Sequence, residues 1–258
     1  MLRSIMVETG EGPHASAAME TALWLAKSFG ARLYALTCLD ERGVHSEHIR
    51  RMVEEETRER QARFEERCQG AGVECISDIE VGDPHAALVH LSRKADLLVL
   101  GSAPDPQDQS RGYSSAASAV AREAVRHVLV VREAAPAFKN IVVGYAGREN
   151  SCNALQLAAN IGEKAEGTVH VLTSDQDLSR GGAVLNVGIE YLKAYRVQAV
   201  PRHVTSEPGD AILEAVKETE ADLVAIGAIR RSKLTMMAFG DTASRLLEGS
   251  PAAVLICR

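Results

Sequence analysis

The feature that most constrains the fold of this chain is an internal repeat. A shift of 136 residues places the apolar run at 5–7 on the run at 141–143, and residues 32–37 on residues 168–173. Further along, a shift of 126 residues places Ala95-Asp-Leu97 on Ala221-Asp-Leu223. Because the register stays constant on either side of one length change, we interpret the chain as a tandem duplication.

Each copy alternates short apolar runs with amphipathic or charged segments. Residues 32–38 and 95–100 have the length and composition of buried strands, whereas residues 46–69 are dense in Glu and Arg and predict a long, largely solvated helix. Strands that alternate with helices form parallel βαβ units with right-handed crossovers. The predicted fold class is therefore α/β, with two tandem open parallel sheets of five strands each and helices on both faces.

The predicted domains comprise residues 1–134 and 138–258, joined near Glu133-Ala-Ala-Pro-Ala137. Each domain ends in an apolar run, Val128-Leu-Val-Val131 or Val254-Leu-Ile-Cys257, that contains no Pro or Lys. An unprotected edge strand presents unpaired N–H and C=O groups and invites pairing with another strand. We therefore expect these two runs to pair, so that the halves pack as a pseudo-dimer within one chain. A homodimer of whole chains is left open.

The composition indicates what kind of protein this is and which partners are not expected. With 46% hydrophobic and 25% charged residues, the 258-residue chain is an ordinary soluble globular protein. Its net charge of -6 argues against a nucleic acid partner. The sequence contains no apolar run near the roughly 18 residues that span a bilayer, and its start lacks a signal-peptide pattern. We expect a cytoplasmic protein without a membrane partner.

The residues that usually bind metals are dispersed. The five cysteines form no CxxC pair, so neither a disulfide framework nor a zinc site is indicated. His45 and His48 could share a helix face, but no carboxylate or cysteine ligand set accompanies them. We expect no metal site.

A long connection between two predicted strands in the second half indicates a ligand site. It begins at Gly227 and ends at Gly240, Asp241 and Thr242, where a short helix is predicted. Free N–H groups and the helix dipole at such a start favour an anion. The same stretch is equally consistent with a connection that only turns the chain.

Ligands of open parallel sheets bind outside the carboxyl ends of the strands. This rule brings the residues after the two first strands, Gly10 and Ala146, close to the loops that follow Gly101 and Gly227. The sequence therefore predicts one candidate cleft in each half.

The repeat, Gly82-Asp-Pro84, the two Ala-Asp-Leu runs that lead to a glycine and the closing apolar runs together resemble a tandem universal stress protein. The resemblance covers both halves nearly end to end. It implies a Rossmann-type fold of the adenine nucleotide alpha hydrolase kind and a part in the stress response. ATP-binding members of that family carry a Gly-x2-Gly-x9-Gly-Ser/Thr loop and an Asp after the first strand, which holds the ribose and adenine.

When the second half is fitted to this pattern, the spacing of the loop residues is kept but some of the residues themselves are replaced. The resemblance implies a cofactor-binding set of Ala146, Gly147, Gly227, Arg230, Gly240, Asp241 and Thr242. Arg230 replaces the middle glycine, Asp241 replaces the hydroxyl residue, and Ala146 replaces the ribose Asp. We expect Asp241 to cap the helix with its carboxylate and to repel a phosphate. Arg230 either offsets that repulsion or is simply a solvated loop residue.

The first half fits the family pattern less well. Its corresponding residues are Gly10, Gly101, Ser114 and Ser115, with Pro104 at the middle glycine and Gly10 at the ribose Asp. Proline removes an N–H donor from the loop. A nucleotide site is therefore less expected here than in the second half.

Two functions remain open. One is a non-catalytic stress protein that senses a small ligand through a degenerate adenine-nucleotide site, with weak binding of ATP or AMP as the expected cofactor behaviour. The alternative is a nucleotide-free scaffold that works through protein contacts or another ligand. An enzyme is less supported because no Ser/His/Asp or Cys/His constellation can be assembled, although residual ATPase activity is left open.

Overall fold

The computed structural model describes residues 2–39, 47–102, 116–132, 134–228 and 240–258. Within these ranges the first half contains β1 (Ser4–Glu8), α1 (Gly12–Phe29), β2 (Arg32–Leu39), α2 (Glu47–Gly70), β3 (Cys75–Val81), α3 (Pro84–Leu91), β4 (Leu97–Gly101), α4 (Ala116–Glu123) and β5 (His127–Val131). The second half contains β6 (Asn140–Gly144), α5 (Glu149–Ala165), β7 (Thr168–Ser174), α6 (Leu178–Leu192), β8 (Gln198–Val204), α7 (Pro208–Glu218), β9 (Leu223–Gly227), α8 (Asp241–Gly249) and β10 (Ala253–Cys257).

The described strands form one continuous ten-stranded sheet in the order β3-β2-β1-β4-β5-β10-β9-β6-β7-β8. Each described pair within a half is parallel, whereas β5 and β10 pair antiparallel, with Val130 opposite Val254. Apolar residues of α1, α2, α5 and α6 form a core on one face, and those of α3, α4, α7 and α8 form a core on the other. The α/β class and the two-half organisation predicted from the sequence are confirmed, and the two sheets are continuous.

The antiparallel pairing of β5 with β10 determines the direction in which the strands of each half end. Since strands within a half are parallel and the halves meet antiparallel, the carboxyl ends of the two sets of strands point in opposite directions. The two clefts predicted from the sequence therefore lie at opposite edges of the sheet, where the strands of each half end.

The repeated Ala-Asp-Leu runs have a structural role at the strand starts. Both runs were predicted to be strand throughout, but β4 and β9 begin at the leucine. In the first half the Asp96 carboxylate accepts the backbone N–H groups of Arg3 at 2.9 Å and Ser4 at 3.1 Å. In the second half Asp222 accepts the N–H of Lys139 at 2.9 Å. Each aspartate thus ties the start of one strand to the start of its neighbour.

Two arginines connect the halves around the join. Arg132, directly after β5, donates to the carbonyl of Leu247 in the last turns of α8. Arg258, directly after β10, donates to the carbonyl of Ala121 in the corresponding part of α4. Carbonyl groups at the end of a helix lack intrahelical partners and attract positive charge. The two contacts are equivalent under the repeat, so the halves are related by an approximate two-fold axis.

Candidate functional site

The carboxyl ends of β6, β7 and β9 open into a cavity of about 630 Å³. This volume lies within the range of small-molecule sites, roughly 300–1,000 Å³. The cavity lies where the strand order reverses on either side of β6, which is the position at which open α/β sheets bind their ligands. The starts of α5, α7 and α8 form its rim.

The walls of this cavity combine apolar and polar surface. Leu172, Ile212 and Ile226 contribute apolar side chains, while Asn150 and Ser174 contribute an amide and a hydroxyl. Such a mixture suits an apolar or planar group held by a few directional hydrogen bonds.

The structure brings together most of the residues predicted in the second half. Five of them line the cavity: Ala146, Gly227, Gly240, Asp241 and Thr242. Gly147 lies in the same loop as Ala146 but is not part of the cavity wall. Arg230 lies outside the described residues.

The first-half prediction is only partly described. Gly10 follows β1 and Gly101 ends β4, at positions equivalent to Ala146 and Gly227. Ser114 and Ser115 lie outside the described residues.

The predicted capping role of Asp241 is wrong. The N-cap of α8 is Gly240, with extended backbone angles, and Asp241 is the first helical residue. A residue inside the first turn has its own N–H among the free donors and does not occupy the N-cap geometry. The carboxylate remains at the cavity wall as a negative charge, while Gly240 has no side chain to accept the first amides of the helix.

Gly101 and Gly227, at equivalent strand ends, are both required by packing. A Cβ at Gly227 would lie 2.5 Å from the backbone of Asn150 and Ser151 in the first turn of α5. A Cβ at Gly101 would lie 2.6 Å from the backbone oxygen of His14 in α1. Both glycines therefore let a helix start approach a strand end, and retention of a glycine here is not by itself a sign of a nucleotide.

Ser151 organises the loop between β6 and α5, a role that sequence analysis did not identify. Its hydroxyl accepts the N–H of Arg148 at 2.9 Å and donates to the carbonyl of the same residue at 2.8 Å. Asn150 donates from its amide to the carbonyl of Ala228 after β9. A serine three residues after the N-cap is a recognisable local signal for such a turn. These bonds fasten the rim of the cavity at the start of α5 to β9 and to the loop after β6.

The described charges around this cavity are mostly negative. Glu149, Glu207 and Asp241 contribute carboxylates to its wall, and Arg148 contributes one guanidinium. The Glu207 carboxylate caps α7 by accepting the N–H of Gly209 at 2.8 Å. Arg245 pairs with the Glu207 carboxylate at 3.2 Å, which offsets part of this negative charge, whereas the Asp241 carboxylate at the start of α8 repels an anion.

The equivalent position in the first half carries an ionisable group where the second half has none. Glu8 ends β1 at the position that Gly144 occupies at the end of β6. Burial raises the pKa of the Glu8 carboxyl. On the neighbouring strand, burial together with the charges of Glu8 and Glu80 raises the pKa of the Cys38 thiol to about 12. The carboxyl ends of the first and second strands therefore carry different side-chain chemistry in the two halves.

Two further findings concern the described residues alone. No group of three or more His, Cys, Asp or Glu side chains in the described ranges is arranged to hold a metal ion. Nor does any helix in that part of the chain have the length and apolarity needed to cross a membrane.

Comparison with known structures identifies close matches to the whole fold. A universal stress protein from Archaeoglobus fulgidus superimposes with a TM-score of 0.82 at 19% sequence identity, covering 99% of this chain and 98% of that chain. A functionally unknown protein from Pseudomonas aeruginosa gives a TM-score of 0.73 at 16% identity, covering 99% and 92%. A putative universal stress protein from the same species gives 0.73 at 17%, covering 99% and 93%. At these identities the likeness establishes the fold alone.

Comparison of the sequence with protein families gives the assignment. A search of curated proteins returns no match. The description of the universal stress protein family matches twice, over residues 1–132 and over residues 137–258. These two matches cover almost the whole chain, one in each repeat. The chain therefore belongs to the universal stress protein family.

Proposed function

We propose that this chain is a non-catalytic universal stress protein that senses a small ligand in the cavity of its second half. The observation that carries the proposal is the cavity of about 630 Å³ at the strand-order reversal, lined by five residues that fit the degenerate nucleotide pattern. Membership of the family supports a part in the stress response. The fixed loop at Ser151 supports binding to a preformed surface.

The ligand class follows from the cavity wall. The apolar side chains of Leu172, Ile212 and Ile226 suit a planar base such as adenine. The Asp241 carboxylate opposes phosphate groups, and one like-charge pair at 4 Å costs about 1 kcal/mol in bulk water and more near a protein. We expect adenosine to bind more tightly than AMP, and ATP to bind roughly tenfold or more weakly than adenosine.

Calorimetric titration of the full chain with adenosine, AMP and ATP–Mg tests this order. Ala146→Asp places a carboxylate where ATP-binding relatives hold the ribose, and we expect it to strengthen adenosine binding about tenfold. Gly10→Asp, the equivalent change in the first half, is the matched control and should leave adenosine binding unchanged. A sub-micromolar ATP site in the wild type would overturn the proposed ligand order, and ATP turnover above the buffer rate would overturn the non-catalytic role.

The alternative function, a scaffold that binds no nucleotide, is favoured by one surface observation. Three large apolar side chains of α6 are solvent-exposed: Leu178 at 69%, Val187 at 64% and Tyr191 at 40%. Exposed apolar surface of this kind is a common contact for other proteins. Flat calorimetric traces with all three ligands, for the wild type and for Ala146→Asp, would favour the scaffold.

A further inference from the structure

Two cysteines of the first half, separated in the sequence, meet at one turn of the structure. Cys68 lies in the last turn of α2, and Cys75 is the first residue of β3. The turn between them closes with hydrogen bonds from Val73 N–H to the Cys68 carbonyl at 2.9 Å and from Gly72 N–H to the Gln69 carbonyl at 3.0 Å. With Gly72 at a φ of 74°, this pair of bonds is the Schellman arrangement. The turn folds the start of β3 back against the end of α2.

The two thiols lie close together at this turn, near enough for each to shift the pKa of the other. Cys68 lies in the core cluster beneath α1 and α2, and Cys75 packs against it. The Cys68 side chain is fully buried, whereas Cys75 is partly exposed. β3 is an edge strand of the sheet, so one side of Cys75 has no neighbouring strand. The pair thus consists of one reachable sulfur and one sheltered sulfur.

The surroundings make the two sulfurs unequal. The neighbouring Cys68 thiol lowers the pKa of the Cys75 thiol, against an opposing effect of burial. The same interaction with Cys75, together with burial, raises the pKa of the Cys68 thiol. Since the thiolate is the nucleophile, the accessible Cys75 is the sulfur that reacts first.

The geometry points to a peroxide-reactive dithiol, which we propose as a reversible modification site of this protein. The Cys75 thiolate attacks one oxygen of hydrogen peroxide, the O–O bond breaks, and the products are a sulfenic acid on Cys75 and hydroxide. The Cys68 sulfur then attacks the Cys75 sulfur, the S–O bond breaks, and the Cys68 proton leaves with that oxygen as water. The product is a Cys68–Cys75 disulfide, in which two thiols have been oxidised and one peroxide reduced.

The other cysteines provide internal comparisons. Cys257 is buried, and burial raises the pKa of Cys38 to about 12, so neither favours a thiolate. Cys152 is exposed. In the second half Ala199 takes the place of Cys75, since it pairs with Val169 as Cys75 pairs with Leu33, so the dithiol belongs to the first half alone.

Peptide mapping of the full-length protein after treatment with one equivalent of hydrogen peroxide tests the proposal, with alkylation of free thiols at the end. We expect a Cys68–Cys75 cross-linked peptide that dithiothreitol reverses. Cys75→Ser should abolish the cross-link and slow peroxide consumption at least tenfold. Cys68→Ser should keep the first step and accumulate a sulfenic acid on Cys75 that dimedone traps. Cys152→Ser is the matched control and should leave the cross-link unchanged.

The wild type alone can decide the outcome, which protects the test against a variant that folds poorly. Absence of the cross-linked peptide, or accumulation of sulfinic acid on Cys75 without a disulfide, overturns the proposal. Faster peroxide consumption at Cys152 than at Cys75 in the wild type also overturns it.

Discussion

The two halves share the arrangement of their strand ends but differ in the residue that ends the first strand. In both halves a glycine at the end of the fourth strand, Gly101 or Gly227, admits a helix backbone at contact distance. At the end of the first strand, however, the first half has Glu8 and the second half has Gly144. The shared glycine is a packing requirement, whereas the residue at the end of the first strand differs in charge between the halves.

The difference extends to the neighbouring strand. Cys38 in the first half corresponds to Ser174 in the second, and Ser174 lines the cavity. The first half therefore places an ionisable carboxyl and a thiol at the strand ends where the second half has no side chain and a hydroxyl. The two copies of the repeat thus keep the same packing of strands and helices while the side chains at their strand ends differ in chemistry.

The largest expected effect comes from breaking the join on which both halves depend. Val130→Pro removes a backbone donor and fixes φ in a strand that has neighbours on both sides, and we expect a loss of about 3 kcal/mol or more in the free energy of unfolding. Hydrogen exchange measures it, since the amides of 128–131 and 254–257 should be protected in the wild type and exposed in the variant.

Val130→Ala is the control for this join, because it removes side-chain packing but keeps the N–H donor. It should leave the amides of 254–257 protected. Rapid exchange of both segments in the wild type would show that the halves do not pair there in solution.

The shared glycines give the next largest effect. Gly101→Ala and Gly227→Ala should each lower the free energy of unfolding by about 1–3 kcal/mol, because the added Cβ meets helix backbone that must shift. In Gly182→Ala the new Cβ meets nothing within 4 Å inside α6, so this control should stabilise the protein by about 0.5–1 kcal/mol. Urea unfolding provides the measurement. If only one of the two substitutions destabilised the protein, the two glycines would not have the same packing role in the two halves.

Removal of one charge tests whether the Asp241 carboxylate weakens the binding of a phosphate group in the cavity of the second half. Asp241→Ser removes a carboxylate from the cavity wall and adds a hydroxyl, and we expect AMP to bind about tenfold more tightly. Glu190→Gln removes a negative charge from α6 outside the cavity wall, and it should change the affinity little. Calorimetry with AMP compares the two. Unchanged or weaker binding by Asp241→Ser would place this carboxylate away from the ligand phosphate.

The smallest expected effect is a pH dependence that belongs to the first cleft. Because burial raises the pKa of Glu8 in the folded state, ionisation of this carboxyl costs stability. The wild type should therefore lose stability relative to Glu8→Gln as the pH rises from below the ordinary value of 4.5 through the raised pKa, and the difference should then level off. Urea unfolding between pH 4 and pH 8 measures it, with the exposed Glu66→Gln as control. A constant difference over that range would contradict a perturbed Glu8.

The fold was predictable because it is specified by patterns that span many residues. The constant repeat shift and the alternation of apolar runs with helical segments determine the strand and helix order in each half. The starts of β4 and β9 were misplaced by two residues, since an aspartate that binds neighbouring amides is indistinguishable from a strand residue in sequence.

The site was less predictable because it depends on single side chains and on contacts across the chain. Aspartate is a residue type that commonly caps helices, yet the N-cap of α8 is Gly240 and not Asp241. Glu8 ends an apolar run, and only the fold reveals that its carboxyl is buried. The contact between Cys68 and Cys75 depends on the turn between them, so the scattered spacing of the cysteines concealed it.

The reciprocal arginines have a consequence for how this chain can evolve. The shift of 126 residues that relates the repeats also relates Arg132 to Arg258 and Ala121 to Leu247. In a dimer of single-repeat ancestors one codon would supply both contacts, so one substitution would remove both at once. In the fused chain each contact has its own codon. Selection can therefore weaken one side of the join and keep the other, a route to asymmetry that a symmetric ancestor lacks.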